Sequence, residues 1–332
     1  MHVRLLPRGL TAARRIVGAT VLAGALSAGA LSAGTAFVGT ASAQSSLPVN
    51  WDFATAALST FTSPTVPPPG ANNWSCRPTA QHPHPVVLVH GTIANMNDDW
   101  QAASPVLANH GYCVFAFNYG GGAPTDNVQG TGDIAASAGQ LASFVTKVLA
   151  ATGAAKADIV GHSQGGMMPR YYINSLGGAS KVDKLVALAP SNYGTTLDGL
   201  TTLGQDLGLL VPVNSALSTS CDACVEQEAG SGFLTALNVH PTVPGVSYTV
   251  IETTGDEVVT PYTNAFLPSA PNVANITVQN QCSKDGSDHL EIASDPIAMA
   301  DMLNALDPAH PVRVPCLPVL ALFGPVGAVP AF

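Results

Sequence analysis

The stretch Lys156-Ala157-Asp158-Ile159-Val160-Gly161-His162-Ser163-Gln164-Gly165-Gly166 constrains the fold more than any other part of the chain. A short β-prone run leads straight into two closely spaced glycines, and the residues from Met167 to Tyr172 can continue as a helix. Glycine at 161 and 165 removes the β-carbons that collide where a strand turns sharply into a helix. Ser163 stands at the apex of that turn.

The surrounding chain repeats the same alternation. Runs of apolar and β-branched residues predict strands at 85–90, 112–118, 156–160, 184–189, 246–252 and 275–279. Helical spacing predicts helices at 134–151, with Leu141, Phe144, Val145 and Val148 on one stripe, and at 296–306. A strand–helix alternation of this kind predicts an α/β fold, a mostly parallel sheet with helices on both faces. One long interruption stands out. Residues 191–244 form an insertion where a plain crossover needs about a dozen residues or slightly more. Leu200, Leu203, Leu207, Leu209, Leu210 and Val211 predict an amphipathic helix there. It either packs on the core or serves as a cap or lid over an apolar pocket.

The ends of the chain are of a different character. Arg4, Arg8, Arg14 and Arg15, an apolar small-residue run at 16–38, and Ala41-Ser42-Ala43 together read as a cleavable export signal over 1–43. A retained anchor is the rival reading, and the residues around Arg14-Arg15 leave the choice of Sec or Tat export open. Residues 44–84, rich in Pro, Ser, Thr and Asn, are expected to wrap the main domain (85–316) as an extension with one short helix near 52–58. The apolar tail 317–332 is too short and too broken by Gly and Pro to span a membrane. It is expected to pack on the domain. Without the leader, eight basic residues face 21 acidic ones, a net charge of −13. Such a surface repels phosphate backbones, so no nucleic-acid partner is expected. All six cysteines follow the leader, and in an exported chain an even count predicts disulfides. Chain order favours the pairs Cys76–Cys113, Cys221–Cys224 and Cys282–Cys316. Cys221-Asp222-Ala223-Cys224 could instead be half a zinc site or a redox pair. With no second such motif, no metal or cofactor is expected.

A serine hydroxyl becomes a nucleophile when a base accepts its proton and a third group orients the base. In the α/β-hydrolase arrangement, which this turn and the strand–helix alternation resemble, acid and base follow the serine in that order, each on a loop after a strand. Asp256 follows the strand at 246–252, with Glu257 and Glu252 as weaker alternatives. His289 follows the strand at 275–279. His240 precedes the acid's strand, and His310 lies beyond the last helix. His82, His84, His90 and His110 precede the serine, and His162 is expected to point away from its neighbour's hydroxyl. An oxyanion needs backbone N–H donors, one after the nucleophile at Gln164 and one from the loop His90-Gly91-Thr92, at Thr92.

The segments Val86-Val87-Leu88-Val89-His90-Gly91-Thr92, Gly161 to Gly166, Ala189-Pro190-Ser191-Asn192-Tyr193-Gly194-Thr195, Gly255-Asp256-Glu257-Val258-Val259 and Asp288-His289 resemble the secreted class 2 lipases of the α/β-hydrolase superfamily. The elbow is also similar to that of fungal lipase B. The resemblance spans roughly 75–310. It implies a carboxylic ester hydrolase acting on lipid-like esters, with Ser163, Asp256 and His289 as triad and Thr92 and Gln164 as oxyanion donors. A secreted monomer without cofactor is expected. Cutinase-like polyester hydrolases and acyltransferases share this machinery, and an inert binding protein of the same fold is the remaining alternative. Tyr193 stands where the family pattern often has histidine, and the tail 317–332 has no counterpart in it.

Overall fold

The computed structural model describes residues 46–196, 199 and 221–332. The leader at 1–43 and the apolar stretch 200–211 lie outside the described residues. Six strands, β1 (Val86–Val89), β2 (Val114–Ala116), β3 (Ala157–His162), β4 (Val182–Leu188), β5 (Ser247–Glu252) and β6 (Val273–Thr277), form one parallel sheet in the order β2-β1-β3-β4-β5-β6. The central strands β1 and β3 are buried along their whole length, as a sheet covered on both faces requires. Alternate residues serve opposite layers. Val87, Val89 and Ile159 pack on one side, and Val86, Leu88 and Val160 on the other.

Seven α-helices are described: α1 (Phe53–Thr60), α2 (Ala103–Asn109), α3 (Ile134–Thr152), α4 (Gln164–Ser175), α5 (Asp222–Glu226), α6 (Gly232–Leu237) and α7 (Pro296–Leu306). α3 and α4 cover the first face, α2 and α7 the second. The Asp133 side chain caps α3 at the Ala136 N–H, and Gly153 ends it in the left-handed region at φ 75°. By length and composition α3 could cross a membrane, but its stripe of Ile134, Leu141, Val145 and Val148 is buried in the core. α7 begins at Pro296 behind an Asp295 cap that accepts from the Ile297 and Ala298 N–H groups.

All six strand boundaries differ from the sequence expectation by one or two residues at an end, β3 running on to His162, and three of the differences have a visible cause. β2 is shorter, the last strand of the sheet, with its outer side met by the N-terminal extension: Ala71 bridges Val114, and Asn72 bonds Val114 and Ala116. β4 starts at Val182, ahead of the charged pair Asp183-Lys184 that disguised it. β6 starts at Val273 opposite Tyr248 and ends at Thr277, after which Val278–Asn280 winds into a 3-10 turn.

The six cysteines form the disulfides Cys76–Cys113, Cys221–Cys224 and Cys282–Cys316. In the C-terminal tail, β7 (Val319–Leu320) and β8 (Gly324–Pro325) make a small antiparallel hairpin. Its Leu322 packs in a cluster with Phe53 of α1, Ile93, Val258 and Leu290. The two ends of the described chain thus meet: the Ala54 N–H donates to the Leu322 carbonyl, and the Phe53 N–H to Glu291 Oε2.

Candidate active site

Ser163 is the N-cap of α4 and holds φ 54°, ψ −123°, a conformation that L-residues rarely adopt. A β-carbon on Gly161 would overlap the Gly165 carbonyl oxygen, and one on Gly165 would overlap the Val89 carbonyl. The strand-to-helix turn therefore closes only with glycine at both positions.

Ser163 follows β3, Asp256 follows β5 and His289 follows β6, all at the C-terminal ends of parallel strands, where open α/β sheets place their sites. Ser163 Oγ lies 3.0 Å from His289 Nε2, and His289 Nδ1 lies 2.8 Å from Asp256 Oδ2. The other Asp256 oxygen accepts from the N–H groups of Val258 and Val259 at 2.8 and 2.7 Å. The His289 ring is buried, which on its own would lower its pKa. The Asp256 charge and hydrogen bond, with Glu257 and Asp288 behind them, outweigh burial and hold it above the ordinary histidine value. Burial, then the Asp288 charge, pushes the Glu257 carboxyl up to about 7. Glu252 is buried at the end of β5, and burial and the Asp256 charge raise it well above the usual carboxylate range. Of the candidate acids, only Asp256 meets the imidazole side chain.

Thr92 sits on the loop after β1, across from the start of α4. Its hydroxyl oxygen accepts from Gln164 Nε2 at 3.0 Å and from Gln227 Nε2 at 2.8 Å. Both lone pairs are filled, so the hydroxyl hydrogen is free to donate elsewhere. Gln164 is the first residue of α4, and a helix gives its first N–H groups no internal acceptor. Gln227 caps the C-terminus of α5, within the 191–244 insertion, and is steadied by the Ser191 hydroxyl at 2.8 Å. Sequence reasoning passed over Gln227, because nothing local marks it.

His162, expected only to avoid the serine hydroxyl, bridges Asp99 Oδ1 at 2.9 Å and the His289 carbonyl at 2.8 Å. Burial lowers His90 to about 4, and its ring stacks on Tyr119 at 4.3 Å. The remaining histidines lie elsewhere. His310 pairs with Asp307, the His110 ring meets the Val106 carbonyl, the His82 ring packs tilted against Tyr112, and His240 is exposed. Tyr193 is tied through its N–H to the Asn264 carbonyl. Among the described residues, His84, Asp158 and Asp183 form a cluster of metal-ligand types. Asp183 is already met there by Lys156 and Lys184 at 3.3 and 3.1 Å. Cys221 and Cys224 are joined to each other rather than left as thiolates.

A parallel sheet that carries a serine on a strained turn, with a histidine and a carboxylate on later loops, is the α/β-hydrolase fold. The chain belongs to the class 2 lipase family, whose model matches residues 83–300. It is 41% identical over 93 residues to triacylglycerol lipases of Pseudarthrobacter phenanthrenivorans and Burkholderia plantarii, covering 26% of this chain and 27% and 24% of theirs. The chain thus spans about a quarter of the length of the curated relatives it matches. In fold it is similar to Aspergillus fumigatus lipase B, with a TM-score of 0.54 at 17% identity over 74% of this chain and 56% of that one. It is also similar to the mature form of the Bacillus licheniformis lipase BlEst2, with a TM-score of 0.50 at 17% identity over 73% and 96% of the two chains.

Proposed function

We propose that this protein is a secreted serine hydrolase that cleaves carboxylic esters of lipid-like substrates through an acyl-enzyme. Ser163 Oγ attacks the ester carbonyl while His289 Nε2 takes its proton, and the carbonyl oxygen becomes an oxyanion. His289 then protonates the departing alkoxide. In the second half a water loses its proton to His289, attacks the acyl carbon and returns Ser163 to its hydroxyl form. Asp256 fixes the imidazole tautomer and stabilises the imidazolium. The Thr92 and Gln164 N–H groups, with the Thr92 hydroxyl, receive the oxyanion.

One observation carries this reading: the unbroken chain from Ser163 Oγ through His289 to Asp256 at 3.0 and 2.8 Å. The similarity to triacylglycerol lipases supports a lipid-like acyl ester. Export is supported by the leader composition at 1–43 and by the three disulfides. The insertion at 191–244 is read as the cap over the acyl pocket, since its Gln227 reaches Thr92.

The test is turnover of a p-nitrophenyl ester series from acetyl to stearoyl, and of emulsified triglyceride, by wild type and Ser163→Ala. The reading expects hydrolysis that vanishes in the alanine variant. Turnover retained by that variant would overturn it, and an optimum at acetyl with no attack on emulsion would replace lipid-like esters with short, soluble ones.

A further inference from the structure

His162 lies between two parts of the proposed catalytic apparatus, its ring packed against that of His289 with 5.2 Å between centroids. Its ring is buried at the end of β3. Nε2 lies 2.8 Å from the backbone carbonyl of His289, and since a carbonyl only accepts, that nitrogen carries a proton. Nδ1 lies 2.9 Å from Asp99 Oδ1. The second oxygen of Asp99 accepts the Gly91 N–H at 2.9 Å, one residue before Thr92. Burial drives the Asp99 carboxyl upward, but the His162 charge and hydrogen bond prevail and hold it below the ordinary range. Asp99 thus faces the His162 ring with one oxygen and the Gly91 N–H with the other.

One buried carboxylate thus holds the oxyanion loop directly and the main chain of the catalytic histidine through a single ring. If the site needed only packing, two apolar side chains would fill it without the cost of desolvating polar groups. Both far ends of this pair instead terminate on backbone that carries the proposed chemistry. We propose that Asp99 and His162 are positioning residues, a second and non-reacting Asp–His pair that sets the spacing between the His289 imidazole and the Thr92 loop. The proposal rests on the ester-hydrolase reading above. Nucleophile, base and oxyanion donors must align together, and a displacement of about 1 Å costs about 100-fold in rate.

The variants that test it separate the two links. His162→Gln places an amide nitrogen near the position of Nε2 and can reach the His289 carbonyl. His162→Asn places one near Nδ1 and can reach Asp99. His162→Ala loses both links, and Asp99→Asn keeps the shape of the carboxylate without its charge. The measurement is kcat and KM on p-nitrophenyl butyrate, per site titrated with a fluorophosphonate, beside the thermal midpoint of each full-length variant. The expected result is a fall of about 10–100-fold in kcat per titrated site for His162→Ala, with KM little changed. Gln and Asn each restore part of the loss, and Asp99→Asn falls between wild type and alanine. A purely structural role would lower the thermal midpoint and the titrated fraction but leave kcat per titrated site at the wild-type value. That outcome, in alanine or, should alanine not fold, in Asp99→Asn and His162→Asn, overturns the proposal. A wild type that neither turns over nor labels would overturn the ester-hydrolase reading itself and this proposal with it.

Discussion

Asp256 meets His289 through one oxygen only: Oδ2 lies 2.8 Å from Nδ1, while Oδ1 is held by the N–H groups of Val258 and Val259. The carboxylate cannot swing away, so its charge acts on the imidazole throughout. That charge leads the effects that outweigh burial and raise the His289 pKa. A base works when neutral, so kcat/KM rises with pH through a midpoint above 6.5, the ordinary histidine value. The raised pKa also stabilises the fold at acid pH, a contribution lost as pH climbs through the folded-state value. Asp256→Asn removes the carboxylate charge and leaves burial. The midpoint then moves to lower pH, and kcat drops about 10⁴-fold. A pH–rate profile of both proteins checks this, and a wild-type midpoint below 6.5 contradicts it.

Thr92→Val tests the hydroxyl that two glutamines leave free to donate. On the proposed mechanism the variant loses one oxyanion donor, and kcat is expected to fall about 10²–10³-fold. It also strands the Gln164 and Gln227 amides that bonded to Oγ1. Thr92→Ser keeps the hydroxyl and is expected to recover most of the rate. If valine and serine variants gave equal kcat, the hydroxyl would have no part in the chemistry.

The serine turn was legible because its demands are local. Two glycines, a strand before and a helix after lie within one short segment, and Asp256 and His289 follow in chain order on loops after strands. α7 was legible for the same reason: Asp295, Pro296 and the apolar run to Leu306 mark its start and its length. Asp99 and Gln227 were not legible. Their partners lie 63 and 135 residues away, and an isolated Asp or Gln in a loop carries no trace of such a contact. His162 was in plain view beside Ser163, but its role depends on a main-chain carbonyl 127 residues downstream. The tail 317–332 showed its apolar character but not its partners, because Leu322 packs on four separate segments brought together only by the fold.

The same substitution at two glycines is expected to have opposite results. A β-carbon on Gly165 would strike the Val89 carbonyl, so Gly165→Ala forces the turn apart and should yield little folded protein. Gly139 lies inside α3 with open space around a built β-carbon, so Gly139→Ala gains about 1 kcal/mol from helix propensity. Soluble yield and thermal midpoint read both. A folded, active Gly165→Ala protein would mean the turn is not as tight as described.

Glu291 supplies a second pH test, on a carboxyl that bonds no triad side chain. Burial, with the nearby Asp295, Asp288 and Asp52 charges, raises its pKa to about 10, against the Phe53 N–H bond that lowers it. At neutral pH the folded state keeps a proton that the unfolded chain releases, so this group makes stability fall as pH rises between its unfolded and folded values. Glu291→Gln is neutral at every pH and can still accept the Phe53 N–H. Its thermal midpoint should exceed that of wild type at pH 8, with the difference closing towards pH 4. A variant less stable than wild type at both pH values would show that Glu291 is ionised in the fold.

Covalent labelling of Ser163 is the most direct measure of the central claim. Intact wild-type protein treated with a fluorophosphonate should gain one adduct, mapped to Ser163 in the peptide around residues 157–170, with esterase activity lost in step with labelling. Ser163→Ala should gain none. Label on another residue, or activity that survives full labelling of Ser163, would contradict the assignment of this serine as the nucleophile.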